Sequence, residues 1–190
     1  MATSAQTFAM LGNETLWDAA RRCHEALRRA SVPHAIVGGV AVSLHGYQRN
    51  TVDVDLLVRR EDTDRVREAL AAAGFVWSAE SREFRSPRGI PVHFVFAGDR
   101  AGDQSEVMLP DPGEPRATVE RESLPVLSLA RLIETKLACG EGNLRRTHKD
   151  FADVVELIAA HSLSRSFARY LHKSLRPAFR DLVLRSRGAE

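Results

Sequence analysis

Two carboxylates, Asp53 and Asp55, stand inside an apolar run that reads Val52-Asp53-Val54-Asp55-Leu56-Leu57-Val58. A run this apolar is expected to be a sheet strand, residues 52–58, and a strand shows alternate side chains on one face. Both acids then point one way, while Val52, Val54, Leu56 and Val58 face the core. At about 5 Å and an effective dielectric near 20 the pair repels by about 3 kcal/mol, a cost that a cation between them removes. Upstream, His34-Ala35-Ile36-Val37-Gly38 reads as a short buried strand, and Gly39 leads into a helix over Val40–His45. A strand, a glycine turn and a helix start in that order present free backbone N–H groups to an anion. The unit points to a fold that mixes sheet and helix, and suggests a divalent metal site beside a turn that can approach phosphate, the alternatives being two solvated strand-end carboxylates and a plain tight turn.

The remaining composition sets limits. The chain has 190 residues, 44% of them hydrophobic and 27% charged, which suits one sizeable packed core. No apolar run reaches membrane-spanning length, and the N-terminus has no basic segment followed by an apolar one, so a cytoplasmic protein without membrane partners is expected. Cys23 and Cys139 lack metal-ligand spacing and read as buried reduced thiols. Residues 1–142 carry 17 Lys and Arg against 20 Asp and Glu, whereas residues 143–190 carry 10 against 5. The basic end suits RNA, DNA or a triphosphate, or else a solvated helix face.

Along the chain, residues 1–12 read as a flexible leader and Asn13 as the cap of a first helix. A core of strands and helices is expected over 13–127, and a helical region over 128–190. Helices are expected over Glu61–Ala73, Ser128–Cys139 (Ser128 as cap) and His148–Ala160. Strands are expected at Phe75–Trp77 and Pro125–Leu127, and a hairpin joins Arg82–Arg85 to Ile90–Phe96. Residues 97–117, with three prolines, read as a long surface arm. A helical pair over 163–186, bent or divided at Pro177, carries an apolar stripe of Leu163, Phe167, Leu171, Leu175 and Phe179. That stripe packs either on this domain or on a second copy, as a homodimer.

The order Val37-Gly38-Gly39, then Arg49-Asn50-Thr51-Val52-Asp53-Val54-Asp55, resembles the nucleotidyltransferase superfamily, the polymerase-beta-like fold. The later Ile133-Glu134-Thr135-Lys136-Leu137-Ala138 and His148-Lys149-Asp150-Phe151-Ala152-Asp153 are similar to the helical end of its small bacterial members. These include the minimal nucleotidyltransferases and the abortive-infection type. The resemblance implies an α+β fold: a small mixed β-sheet of nucleotidyltransferase type, flanked by helices, with a C-terminal helical extension. It implies transfer of a nucleoside monophosphate from a nucleoside triphosphate to a hydroxyl on a small molecule, a protein side chain or an RNA end. Asp53 and Asp55 would bind Mg²⁺ or Mn²⁺. Gly38, Gly39, Arg49, Thr51, Lys136 and Asp150 would hold the nucleotide.

The chain departs from that pattern on the strand Ile90–Phe96, where His93 stands in place of a third carboxylate. Imidazole is a poor ligand for Mg²⁺ and an acceptable one for Mn²⁺, Zn²⁺ or Fe²⁺. His93 is therefore a candidate metal ligand, a candidate general base or a structural histidine, and Glu83 on the partner strand is a candidate substitute carboxylate. Arg49 pairs with Asp53 or Asp55 in the absence of metal, or holds phosphate. Lys136 either snorkels from a core helix or meets the nucleotide. Asp150 either caps the helix it begins or orients Lys136. The alternative to an enzyme is a catalytically degenerate binding or regulatory module of this fold, such as one half of a toxin–antitoxin pair.

Overall fold

The computed structural model describes Gln6, Phe8, residues 14–103 and residues 105–187. The expected leader over 1–12 and the Asn13 cap otherwise lie outside the described residues, although Phe8 is buried and stacks on Trp17. Helix α1 spans Glu14–Arg29, strand β1 His34–Val37, helix α2 Gly38–Leu44 and strand β2 Val54–Val58. A 3₁₀ turn, Arg60–Asp62, leads into α3, Thr63–Ala72. Strands β3 (Val76–Ser78), β4 (Glu83–Arg85) and β5 (Pro91–Phe96) follow, then β6 (Thr118–Arg121) and β7 (Leu124–Leu127). The chain closes with α4 (Leu129–Gly142), α5 (Leu144–Ala160), two 3₁₀ turns and α6 (Arg176–Arg187).

The strands form one seven-stranded mixed sheet in the order β3-β4-β5-β2-β1-β7-β6. The fold is α+β, as expected. Its register decides where the acids point. Val37 of β1 lies opposite Asp55 of β2, which lies opposite His93 of β5, so these three share one face. Ile36, Leu56 and Phe94 occupy the next rung and the other face. Helices α1 and α3 cover that second face: His24 of α1 meets His34 of β1, and Arg67 of α3 stacks on Trp77 of β3. Central position and burial on both faces explain why Val54, Leu56, Leu57 and Val58 are all fully buried.

Val52 is the exception to the expected strand. It is 72% exposed, because the ladder begins only at Val54 and alternation has no meaning before the first paired residue. The arm over 97–117 folds back on itself, with Ala101 N–H bonded to the Val107 carbonyl and Leu109 N–H to that of Asp99. Ala101, Val107 and Leu109 thereby become part of the core.

The C-terminal region also differs from the expected helical pair. Arg165–Tyr170 and Lys173–Leu175 form 3₁₀ turns, separated by an extended break at Leu171 and His172, where the buried carboxylate of Glu134 accepts the His172 N–H. Pro177 neither bends nor divides a helix. It sits in the first turn of α6, where a missing N–H costs nothing. Leu171, Leu175 and Phe179 are buried within this chain's own core.

Burial sets one pH response. His34, 8% exposed, accepts the His24 N–H at 3.0 Å through Nε2 when its own Nδ1–H donates to the Val32 carbonyl at 2.7 Å. Burial pushes its pKa down to about 4. The unfolded chain takes up that proton first, near pH 6.5, so the contribution is whole above pH 6.5 and is lost as the pH falls through 4. Wild type should therefore lose about 3 kcal/mol more than His34→Leu between pH 7 and 4 in urea titrations. Parallel losses in the two proteins would refute it.

Candidate active site

The acid-bearing face opens at the end of β1. Asp53 lies just before β2, Asp55 lies within it, and His93 is level with Asp55 on β5. One ligand atom from each of the three falls within 4.8 Å of the other two. His93 Nδ1 stands 3.6 Å from Asp53 Oδ2 and 3.6 Å from Asp55 Oδ1. Those contacts are ion pairs beyond hydrogen-bonding distance. On its other side, His93 Nε2 meets Glu83 Oε2 at 3.0 Å. The Asp55 carboxylate contributes most to a His93 pKa raised to about 9, ahead of Glu83 and of the Asp53 charge and against partial desolvation. His93 in return holds the Glu83 carboxyl below its ordinary value. Glu83 also pairs with Arg85.

The glycine turn is built to admit these side chains. Gly38 has φ +63°, and a Cβ there would lie 1.9 Å from Asp55 Oδ2. A Cβ on Gly39 would lie 2.4 Å from Thr51 Oγ1 and 2.9 Å from an Arg49 nitrogen. Thr51 in turn donates to Asp53 Oδ1 at 2.9 Å. Any side chain at Gly38 evicts Asp55 and adds about 1–2 kcal/mol of left-handed backbone cost. Gly38→Ala is expected to lower the unfolding free energy by at least that amount and to weaken divalent-ion binding by more than tenfold. Equilibrium unfolding and metal titration check the two halves separately.

A second charged cluster adjoins the first through Arg49. Arg49 Nε stands 2.9 Å from Asp153 Oδ1, and Lys136 Nζ stands 2.8 Å from Asp153 Oδ2 and 2.9 Å from Asp150 Oδ1. The Arg49 N–H points off the carboxylate axis, so charge more than hydrogen-bond alignment holds that pair. Arg146 Nε reaches Asp150 Oδ2 at 3.1 Å from a half-exposed position. Burial works against the Arg146 charge, but Asp150, with Cys139 and Asp55 further off, outweighs it and holds the pKa above the usual guanidinium value.

Asp53, Asp55, His93, Gly38 and Thr51 thus meet at one point. Gly39 and Arg49 link that point to Lys136 and Asp150. Arg49 pairs with Asp153 rather than with Asp53 or Asp55. Asp150 caps nothing, because α5 starts six residues earlier, at Leu144, and its carboxylate turns inward to Lys136. Two residues of the cluster were not singled out from sequence, Asp153 and Arg146. The spacing Asp150-x-x-Asp153 on a helix places both carboxylates on one face, and that was the available signal.

A shared ion about 2.1 Å from each donor would separate them by about 3.0 Å at a right angle and about 3.4 Å at a tetrahedral angle. The 3.6 Å spacings of His93 from the two acids lie just outside that range, and all three donors lie within 4.8 Å of one another, so they fit a divalent ion once the three side chains close around it.

The profile of the family described as uncharacterised nucleotidyltransferase matches residues 2–134. The chain belongs to this nucleotidyltransferase family. Among solved structures, this nucleotidyltransferase resembles a Thermotoga maritima protein assigned to the same activity, at 18% identity and TM-score 0.53, over 73% of this chain and 93% of that one. It also resembles ANT(2″)-Ia in complex with adenylyl-2″-tobramycin, at 17% identity and TM-score 0.55, over 88% of this chain and 98% of that one. A third similar structure is an H. pylori protein likewise assigned to the nucleotidyltransferases, at 15% identity and TM-score 0.52, over 90% and 76% of the two chains. At these identities the likeness is one of fold. A search of curated proteins finds no significant match. No helix among the described residues is long and apolar enough to cross a membrane.

Proposed function

We propose that this nucleotidyltransferase moves a nucleoside monophosphate from a nucleoside triphosphate to a hydroxyl acceptor, with Asp53, Asp55 and His93 holding a divalent ion. The carrying observation is the meeting of those three side chains within 4.8 Å, beside a glycine that leaves room only for the Asp55 carboxylate. Held by these three side chains, a divalent ion would supply charge neutralisation to the triphosphate and its leaving group. In the transfer, the acceptor oxygen bonds to the α-phosphorus, the bond to the β-phosphate bridge breaks, and pyrophosphate leaves. The acceptor proton goes to a carboxylate oxygen of the acidic pair. His93 is an unsuitable base in this arrangement, because its Nδ1 lone pair would be taken by the ion and its Nε2 faces Glu83.

Charge supports the placement of phosphate. Arg49, Lys136 and Arg146 face only Asp150 and Asp153 in the second cluster, which leaves one positive charge there for phosphate. Arg146, the exposed member, is added on that ground to Gly38, Gly39, Arg49, Thr51, Lys136 and Asp150 as nucleotide-holding residues.

The test incubates the protein with each labelled nucleoside triphosphate, with Mn²⁺ or Mg²⁺, and with pools of small polyhydroxylated molecules, proteins and RNA ends. Pyrophosphate release with label moved to one pool is expected, and Asp53→Asn should lack both. Tight nucleotide binding without transfer to any pool would overturn the reading.

A further inference from the structure

We infer that this centre is a nitrogen-containing site, with His93 Nδ1 as a ligand and Glu83 as the positioning residue that makes it one, and that it selects Mn²⁺ or a similar transition ion over Mg²⁺. The inference rests on the proposed metal site and concerns what that site accepts. It starts from sheet geometry. His93 is level with Asp55 across the parallel β2–β5 ladder. Glu83 lies on β4, one residue beyond the Phe84–Val92 pair, and so reaches the far side of the same imidazole.

A carboxylate only accepts hydrogen bonds. Glu83 Oε2, 3.0 Å from Nε2, therefore requires a proton on Nε2. When the ring binds as neutral imidazole, its lone pair is left on Nδ1, the nitrogen that faces both Asp53 and Asp55. Metal-binding histidines are commonly oriented by such a carboxylate, and losing the partner costs about 10–100-fold in metal affinity. Glu83 is itself no ligand. One oxygen serves His93 and the other meets Arg85, it is only 7% exposed, and it falls outside the group within 4.8 Å. It is thus not a substitute carboxylate for the ion. Two carboxylates and one imidazole are a donor set that Mn²⁺ accepts, whereas Mg²⁺ demands oxygen in near-ideal octahedral geometry.

Binding of Mn²⁺ and Mg²⁺ alone, without nucleotide or acceptor, tests the inference by titration and by pulsed electron paramagnetic resonance. Wild-type protein with Mn²⁺ should show coupling to one directly bound ¹⁴N, and His93→Asp should lack it. His93→Asp should also shift the Mn²⁺-to-Mg²⁺ affinity ratio toward Mg²⁺ by about tenfold or more. Glu83→Ala should weaken Mn²⁺ by about 10–100-fold with a much smaller change for Mg²⁺. Glu83→Gln, whose amide oxygen still accepts the Nε2–H, should keep most of the Mn²⁺ affinity. Absence of ¹⁴N coupling in wild type, no Mn²⁺ binding at millimolar concentration, or equal losses for both ions in Glu83→Ala would overturn it. These readouts need no turnover, so they stand or fall apart from the transfer assay.

Discussion

Asp55→Asn is expected to cut metal-dependent nucleotidyl transfer by at least about 1,000-fold, a loss of about 4 kcal/mol in transition-state stabilisation, while leaving the fold intact. Asp55 is the residue on which the site converges. It lies opposite Val37 on one side and His93 on the other, and its Oδ2 fills the space beside Gly38. An amide of the same shape keeps that packing and removes the charge that attracts a divalent ion. It also removes the largest contribution to the raised His93 pKa. Stability should move by no more than about 1 kcal/mol, because the side chain is 26% exposed and two opposing changes accompany the substitution: repulsion from Asp53 is relieved, and the His93 ion pair is weakened. Circular dichroism and urea titration check the fold, and initial rates of pyrophosphate release check the chemistry. A variant that folds and keeps a tenth of wild-type activity would remove Asp55 from the reaction.

The parts of this site visible in the sequence are those set by short-range regularity. Alternation along one strand set Asp55 on the face that carries the site, a glycine pair after an apolar strand marked the turn that meets it, and Asp53, just before the strand, is held beside it by Thr51. His93 stood out because it takes the place of the third carboxylate in the nucleotidyltransferase pattern. What stayed hidden depends on partners distant in the chain. Asp150 read either as a cap or as the partner of Lys136, and apolar periodicity that starts at Phe151 kept the first reading open. The helix in fact starts at Leu144, in a stretch of good helix formers with no apolar rhythm, and Lys136 from another helix turns Asp150 inward. Strand β6 was missed for a different reason. Its hairpin to β7 turns at Glu122 and Ser123, with φ of +48° and +64°, a geometry normally announced by Asn-Gly or Gly-Gly. Neither residue gives that signal. The His172 break was invisible because the carboxylate that meets it, Glu134, is far away in sequence.

Lys136→Met is expected to destabilise the protein by about 3–5 kcal/mol, the cost of removing one partner from a buried ion pair. Lys136 has a side chain 5% exposed and contacts carboxylates that are 0% and 2% exposed. Without it, Asp150 and Asp153 keep only Arg146, half in solvent, and Arg49. Each acid then sits desolvated with an incomplete counter-charge, so the loss comes from the stranded anions more than from the missing contacts. That origin gives the prediction a second arm. Lys136→Met combined with Asp150→Asn removes one stranded charge along with the cation and should recover at least about 1 kcal/mol relative to Lys136→Met alone. Simple loss of packing predicts that the double variant is the less stable of the two. Urea titrations of the wild type, both single variants and the double variant separate these outcomes. Because the cluster joins α4, α5 and the loop bearing Arg49, the single variant should also loosen the backbone beside Gly39, measurable as faster amide exchange there than in wild type.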